Sequence, residues 1–211
     1  MALRPDYGET LLSDEEAEAL TPEARKLLGD PILKADLYDL EQRIQVVVAD
    51  EWWGNLLNFN VPMRDLLNDH FARDLHRRLY APVWEWGGRQ RSRETNIGIA
   101  PEHIAVEMRN ALDDLSYQWE HQTGIDARTL GIAVHAALVR IHPFVDGNGR
   151  VTRLLADLVY LAGQTGWDPI HTYDWEIDRT TYIRLLGEYD MTRNPSALAE
   201  FIPVINVEEA E

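Results

Sequence analysis

The sequence predicts an all-α fold with a short β-hairpin flap beside a polar loop, and three observations lead to this expectation. Apolar residues recur at helical spacing along most of the chain. Two successive segments, 130–141 and 151–162, are apolar on nearly every face, which is typical of helices at the centre of a fold. The segment 86–99 has poor helical periodicity and contains a Gly-Gly pair, Asn96 and Gly98, so we expect it to be an extended or hairpin segment.

The remaining helices are predicted from amphipathic spacing and from helix-breaking residues. Pro62 separates the first two helices, and Pro101 suits the first turn of the third. In chain order, the amphipathic helices are expected at 36–57, 67–79 and 104–119, and two shorter closing helices at 178–189 and 195–202.

The length suits one domain of ordinary size with a small appendage. We expect residues 1–62 to form a helical N-terminal extension, residues 63–204 the main domain, and residues 205–211 an acidic tail. No Gly/Ser/Pro-rich linker separates the first 60 or so residues from the rest.

Composition narrows the classes of partner and compartment. The formal net charge of −16 would repel a phosphate backbone, so nucleic acid is not the expected partner. The chain has no cysteine, which excludes disulfide and thiolate–zinc frameworks. It has neither a signal-peptide apolar region nor an apolar run of membrane-spanning length, so a cytoplasmic protein with no membrane association is expected.

A polar, glycine-rich loop lies between the two apolar helices, in the segment 142–153. Pro143 disfavours continuing the first helix beyond His142, and the second helix begins near Gly149. The free N–H groups and the positive end of the second helix dipole therefore point into the loop, which makes an anion site. Gly147 and Gly149 remove side chains where phosphate oxygens would approach the backbone.

The charged side chains of this loop suit a polyphosphate and a metal. Arg150 and Arg153 are three residues apart and are expected on one face of the first helical turn. Asp146 is a hard oxygen ligand, and Mg²⁺ is commonly held by one carboxylate together with substrate phosphates. His142 is the group in the loop that could accept a proton near neutral pH. Because the loop has no obvious covalent nucleophile, we expect direct attack by a substrate hydroxyl in a phosphoryl or nucleotidyl transfer.

The segment His142–Arg153 resembles, at every defined position, the H-P-F-x-D-G-N-G-R-x-x-R signature of the Fic (Fido-domain) proteins. The resemblance extends over roughly residues 66–202: the LHRRLYAPVWEWGGRQR stretch is similar to the lead-in of that family, and YIRLLGEYDMTRNPSALAEFI to its closing helices. The whole chain is similar to a prokaryotic subgroup often labelled mobile mystery protein B.

The resemblance implies a Fido helical fold and an activity, namely AMP transfer from ATP to a Ser, Thr or Tyr hydroxyl of a target protein with release of diphosphate. It makes His142 the general base and Asp146 the ligand of Mg²⁺ or Mn²⁺. It further implies that Gly147, Asn148 and Gly149 form an anion hole. Arg150 and Arg153 would hold the β- and γ-phosphates, and Phe144 would anchor the loop in the core.

The resemblance also implies how targets bind and how activity is restrained. The extended segment 93–99 would be a flap that aligns the target chain by strand pairing, through Arg93, Thr95, Asn96 and Ile97. Many relatives carry an inhibitory helix of the form [S/T]-x-x-x-E-[G/N]. Glu18 gives the nearest N-terminal fit, although its segment departs at the hydroxyl and final positions, and Glu200 has the spacing from Ser196 but is followed by Phe201.

If neither glutamate acts, the family suggests restraint by a separate antitoxin-like protein, as in a toxin–antitoxin pair, and a homo-oligomer is also open. Three alternative functions stand beside AMP transfer. The same loop could use another nucleotide or phosphate donor, the pair Arg64 and His70 loosely fits the R-x₄₋₆-H pattern of HEPN ribonucleases, and the loop could be a relic in a binding protein. His135, which has no motif around it, is expected to be a core residue or a residue supporting the site.

Overall fold

The structure is a computed structural model, and it describes residues 10–59, 61–121, 124–164 and 169–207. Each of the seven helices expected from the sequence is present within two or three residues of its predicted ends. The helices of the described residues are α1 (Asp14–Glu18), α2 (Pro22–Leu28), α3 (Lys34–Asn58), α4 (Met63–Leu66), α5 (Asp69–Tyr80), α6 (Ile104–Glu120), α7 (Ala127–Ile141), α8 (Asn148–Gly163), α9 (Arg179–Thr192) and α10 (Ser196–Phe201).

The fold is mostly helical, as predicted, and a small antiparallel sheet outside the expected flap completes it. Strand β1 (His171–Tyr173) pairs with β2 (Val204–Asn206), and Thr172 lies opposite Ile205. Residues 208–211 of the expected acidic tail lie outside the described residues. Among the helices that the structure describes, none combines the length and the apolar composition needed to cross a bilayer.

The hairpin expected at 86–99 is not formed by paired strands. The segment begins in turns and continues without regular structure, and one isolated antiparallel bridge joins Gln90 to Phe144 of the loop. The reason is that the carbonyls of Arg93 and Ile99 accept bonds from the side chain of Arg91, so the two arms are tied to a guanidinium instead of to each other. The segment is irregular, with bends at residue 93 and at residues 96–98, and it is braced against α7 and the loop.

Helices α7 and α8 form the centre of the fold and pack along each other more extensively than any other pair in the described chain. Their apolar residues face several neighbours at once, which explains why the sequence pattern is apolar on almost every face. Fully buried members of this pair include Leu130, Leu138, Ile141, Leu155 and Leu158. The loop between α7 and α8 is therefore held at both ends by buried helices.

Helix α3 packs against α5 and α8, and its residues Leu37, Val48 and Leu56 belong to the main hydrophobic core. This packing brings the early part of the chain to the first turn of α8. Asn68 caps the N-terminus of α5, and its side chain accepts the N–H of Phe71 at 2.8 Å. Its buried face contains a histidine, His76, among apolar residues at helical spacing.

Candidate active site

His142 ends α7 in a left-handed conformation, with φ 53° and ψ 62°. Its N–H still donates to Leu138 O at 2.9 Å, and Pro143 prevents another turn of helix. A residue with a Cβ rarely adopts this conformation, so the neighbouring structure must hold it. The imidazole is half-buried beside the N-terminus of α8.

Asn148 braces the loop with both ends of its carboxamide. Its Oδ1 accepts the N–H of Phe144 at 2.9 Å, and its Nδ2 donates to the carbonyl of Phe144, also at 2.9 Å. Asn148 is buried, and Thr152 donates its hydroxyl to the Asn148 carbonyl. The side chain of Asn148 is thus occupied within the loop. If this turn binds an anion, the contribution of Asn148 would therefore come from its backbone N–H.

Phe144 is fully buried, as expected of an anchor, and its ring stacks on His76 of α5 at 3.7 Å between centroids. The Nδ1 atom of His76 accepts the N–H of Gly88, so the proton lies on Nε2 and is donated to the carbonyl of Asp146 at 3.1 Å. Burial lowers the pKa of His76 to about 4. Sequence reasoning missed this neutral histidine, although a lone polar residue on the apolar face of α5 is the signal that could have found it.

The first turn of α8 is open where an anion would approach. A Cβ at Gly149 would have no atom within 4 Å, and the residue is exposed. Gly147 serves a different purpose: its φ is +74°, and a Cβ there would lie 2.3 Å from Cζ of Tyr80. Asp146 accepts the N–H of Gly147 at 2.6 Å while its side chain stays 69% exposed, so a carboxylate oxygen is available beside the helix N-terminus.

The two arginines lie three residues apart on α8, but their guanidiniums have different partners and line different clefts. The guanidinium of Arg150 lies over the ring of Tyr80 and contacts the buried carboxylate of Glu41. The guanidinium of Arg153 lies over Trp175 at 5.5 Å. Two long side chains about 60° apart around a helix can diverge, and here each is drawn to a different partner. Arg150 therefore lines a cleft with Asp146, and Arg153 lines a cleft with His142.

Arg153 packs against an aromatic and polar network that includes Trp175, Tyr182 and His135. Its guanidinium also lies over Tyr182 at 5.9 Å, and the Tyr182 hydroxyl is 2.7 Å from Nε2 of His135. His135 is fully buried, so it is a core residue in contact with a neighbour of Arg153. The Nε1 atom of Trp175 donates to Asp157 at 3.2 Å. Burial, opposed mainly by this bond, raises the pKa of Asp157 to about 7.

The expected flap residues are exposed. Arg93, Thr95, Asn96 and Ile97 all face solvent, and the Thr95 hydroxyl donates to the Ile97 carbonyl at 2.5 Å. Ile97 also lines the cleft that contains His142. The structure therefore brings one of the four beside the expected base.

The pKa of His142 lies below its usual value. Burial is the main cause and the charge of Arg91 the second, while the carbonyl of Val139 and the carboxylate of Asp146 act in the opposite direction. An imidazole with a lowered pKa is neutral at pH 7 and can accept a proton.

The expected inhibitory and ribonuclease residues lie elsewhere. Glu18 is exposed and lines a separate cleft with Pro22 and Glu85, and Glu200 is exposed on α10. The glutamate that does contact an arginine of the loop is Glu41, which sequence reasoning missed. The side chains of Arg64 and His70 are 71% and 81% exposed.

The residues present fit a polyphosphate with a divalent cation. Among the described residues, Nε of Arg153 is buried and has no hydrogen-bond partner. Arg153 lines the same cleft as Gly149, where a Cβ would meet no atom within 4 Å. Asp146 supplies one exposed carboxylate. Within the residues that the structure describes, no three His, Asp or Glu side chains cluster as a protein-only metal site.

Comparison with known proteins agrees with this geometry. Residues 66–160 match the model of the Fic/DOC family. Protein adenylyltransferase fic-1 of Caenorhabditis elegans is 32% identical over 104 residues, which are 46% of this chain and 19% of that protein. The chain thus spans about a fifth of the length of the curated relatives it matches.

Two solved structures share the fold. A Fic domain-containing signaling protein from Bacteroides thetaiotaomicron superposes with a TM-score of 0.56 at 24% identity, over 76% of this chain and 62% of that one. BepC of Bartonella tribocorum, solved with bound AMPPNP, superposes with a TM-score of 0.53 at 20% identity, over 79% of this chain and 84% of that one. Residues 66–160 of this chain therefore match the Fic/DOC family model, and the chain shares the fold of these Fic-domain structures.

Proposed function

We propose that the chain transfers AMP from ATP to a Ser, Thr or Tyr hydroxyl of a target protein and releases diphosphate. One observation carries the proposal: a half-buried imidazole with a lowered pKa, His142, lines the same cleft as the open helix N-terminus at Gly149 and the guanidinium of Arg153. The names of the matched relatives, which are protein adenylyltransferases, support the same activity. So does the AMPPNP bound to BepC.

In the proposed reaction, the hydroxyl oxygen of the target attacks the α-phosphorus of ATP and its proton passes to His142. The new bond joins this oxygen to AMP, and the bond from the α-phosphorus to the bridging oxygen breaks, so diphosphate leaves with the bonding electrons. A bound Mg²⁺ or Mn²⁺, held by Asp146 together with phosphate oxygens, would offset the charge of the phosphates.

The N-terminus of α8 has the main binding role in this proposal. Its N–H groups at Asn148 and Gly149 would donate to phosphate oxygens, and the helix dipole favours a negative charge there. Arg153 would pair with the terminal phosphate from its place over Trp175. Arg150 can assist only if phosphate displaces Glu41 or shares the guanidinium with it.

We propose that the target protein docks on the flap, residues 93–99. The backbone of residues 92–98 is exposed and forms no strand pair within the described structure, so an extended target segment could pair with it. Ile97 lines the cleft of His142, which would bring a hydroxyl on such a segment toward the base.

Cytoplasmic location and restraint by a separate antitoxin-like protein also remain proposals, as does membership of the mobile mystery protein B subgroup. Glu18 and Glu200 are exposed, and in the described residues neither forms an ion pair with Arg150 or Arg153, which favours an inhibitor other than these two residues.

The deciding experiment uses ATP labelled at the α- or the γ-phosphate, with Mg²⁺ and a cell lysate as the source of targets. AMP transfer labels protein from the α-position alone, and His142→Ala abolishes the label. Label from the γ-position would instead indicate phosphate transfer, and unlabelled protein from both donors, with GTP and CTP tested alongside, would contradict nucleotidyl transfer.

A further inference from the structure

Arg91 is a buried arginine two residues before the flap. Its residue is 4% exposed, and in the part of the chain that the structure describes no carboxylate pairs with it. A buried cation without a counter-ion is costly unless its donors are satisfied. The bonds that satisfy Arg91 therefore have structural consequences.

The guanidinium donates to four backbone carbonyls. Nε donates to His142 O at 2.7 Å, and Nη1 donates to Arg93 O at 2.9 Å. Nη2 donates to Ile99 O at 2.5 Å and, at 3.4 Å, to Ile141 O. Two of these carbonyls lie at the end of α7, where helical partners are missing, and two lie at the two ends of the flap. One side chain thus joins the flap to the residue that ends the helix.

The backbone repeats this connection. The N–H of Arg91 donates to Pro143 O at 2.9 Å, and the N–H of Ile99 donates to Ile141 O at 3.3 Å. Gly98, with φ +94°, packs so closely that a Cβ would lie 2.5 Å from Cβ of His142 and 2.7 Å from Nη2 of Arg91. The end of the flap therefore rests directly on the histidine.

We infer that Arg91 is a positioning residue for the transfer reaction, which holds His142 in its left-handed conformation and sets the flap in a constant register with it. The inference rests on the proposed function, because it takes His142 as the base and the flap as the site of target docking. The base and the docked hydroxyl would then be held by a single group. Arg91 does not itself reach the reacting atoms.

The charges around His142 are also consistent with a positioning role for Arg91. The charge of Arg91 favours the neutral imidazole, while Asp146 from the loop favours the charged form. Arg153 of α8 and Arg179 of α9 line the same cleft as His142 and add positive charge to it. Removal of Arg91 takes away the cation that bonds to the His142 carbonyl, so the pKa of His142 should rise.

The test compares Arg91→Met, which removes the charge, with Arg91→Lys, which keeps the charge but loses the forked donor geometry. Arg89→Met is the matched control, because Arg89 is exposed two residues earlier. NMR titration of the His142 imidazole gives its pKa, amide hydrogen exchange reports on residues 92–99, and steady-state kinetics separate kcat from KM. Melting temperatures confirm that each variant is folded.

We expect Arg91→Met to raise the pKa of His142 and to speed exchange in the flap. It should also lower kcat by roughly 10- to 100-fold, the scale of a displacement of about 1 Å at a reacting group. Arg91→Lys should keep the pKa near the wild-type value and still lose kcat, whereas Arg89→Met should change neither. If only the melting temperature falls, and the pKa of His142, flap exchange and kcat stay at wild-type values, the inference is wrong.

The titration and the exchange measurement need no transferase activity, so the two proposals can fail separately. A wild-type protein that transfers no AMP would contradict the proposed function. In that case, a raised pKa of His142 and faster hydrogen exchange in the flap of Arg91→Met would still support the inference that Arg91 positions His142. An unfolded Arg91→Met leaves the test to Arg91→Lys, where unchanged kcat and flap exchange would overturn the inference.

Discussion

The carboxylate of Glu41 on α3 contacts the guanidinium of Arg150 in the first turn of α8, although 109 residues separate them along the chain. Glu41 is buried, and its other oxygen accepts the Nε1 proton of Trp84 at 2.7 Å. The carboxylate of Glu41 is therefore already paired with Arg150, one of the two arginines of the loop. A phosphate that needs Arg150 must displace Glu41 or share the guanidinium with it.

The first prediction is that Glu41→Gln strengthens nucleotide binding. Glutamine keeps the volume and an acceptor for Trp84, but it removes the charge that competes for Arg150, so the Kd of a non-hydrolysable ATP analogue should fall about 3- to 10-fold, or about 0.7–1.4 kcal/mol. Isothermal titration calorimetry in Mg²⁺ measures this. Glu51→Gln is the control, since Glu51 lies on the same helix and pairs with Arg78. Weaker binding in Glu41→Gln would mean that Glu41 orients Arg150 instead of competing for it.

The second prediction concerns the base. His142→Ala should lower kcat for AMP transfer by roughly 10²- to 10⁴-fold, the usual contribution of general base catalysis. Its melting temperature should remain close to wild type, because the imidazole is only half-buried and alanine keeps the Cβ against which Gly98 packs. Quantitative mass spectrometry of the modified target provides the rate. His121→Ala, which alters an exposed histidine at the end of α6, should leave the rate unchanged. Equal turnover in His142→Ala would refute the role of the imidazole.

The third prediction separates the phosphates of the nucleotide. Arg153→Ala should raise the Kd of the ATP analogue by roughly 10- to 100-fold, because a charge-assisted hydrogen bond is worth about 1.5–3 kcal/mol. The Kd of AMP should change little, since AMP lacks the phosphates that Arg153 would hold. Isothermal titration calorimetry with the ATP analogue and with AMP measures both affinities. Arg184→Ala on the exposed side of α9 serves as the control, and an equal loss for AMP would contradict this assignment.

The fourth prediction follows from Asp157, whose pKa rises from 3.8 to about 7 on folding. A raised carboxyl pKa means that the folded state binds the extra proton, so this contribution to stability is complete below pH 4 and is lost as pH rises to 7. Asp157→Asn has no proton to lose and retains an oxygen for Trp175. Its free energy of unfolding should therefore exceed that of wild type at pH 8, by about 1–3 kcal/mol. Near pH 4 the difference should vanish.

Urea denaturation at pH 4 and at pH 8 tests this prediction. Asp113→Asn, which removes an exposed carboxylate from α6, is the matched control and should show no such pH-dependent gain. A constant difference between Asp157→Asn and wild type at the two pH values would show that Asp157 does not titrate in this range.

The sequence by itself determined the helices and the loop between α7 and α8. These features depend on interactions within a few residues: apolar spacing gives the helices, Pro143 ends α7 at His142, and the glycines open the first turn of α8. The open N-terminus of α8 follows from the same local rules. For this reason the expected base, carboxylate and anion site could be named before any tertiary contact was known.

Only the tertiary structure decided which partner each of these groups has. Arg150 and Arg153 have the same residue type and lie in one helical turn, but one meets Glu41 of α3 and the other Trp175 of the segment before α9. Arg91 reaches the carbonyl of His142 across 51 residues. Contacts over such separations leave no periodic trace in the sequence, because they depend on how helices pack and not on local backbone preference.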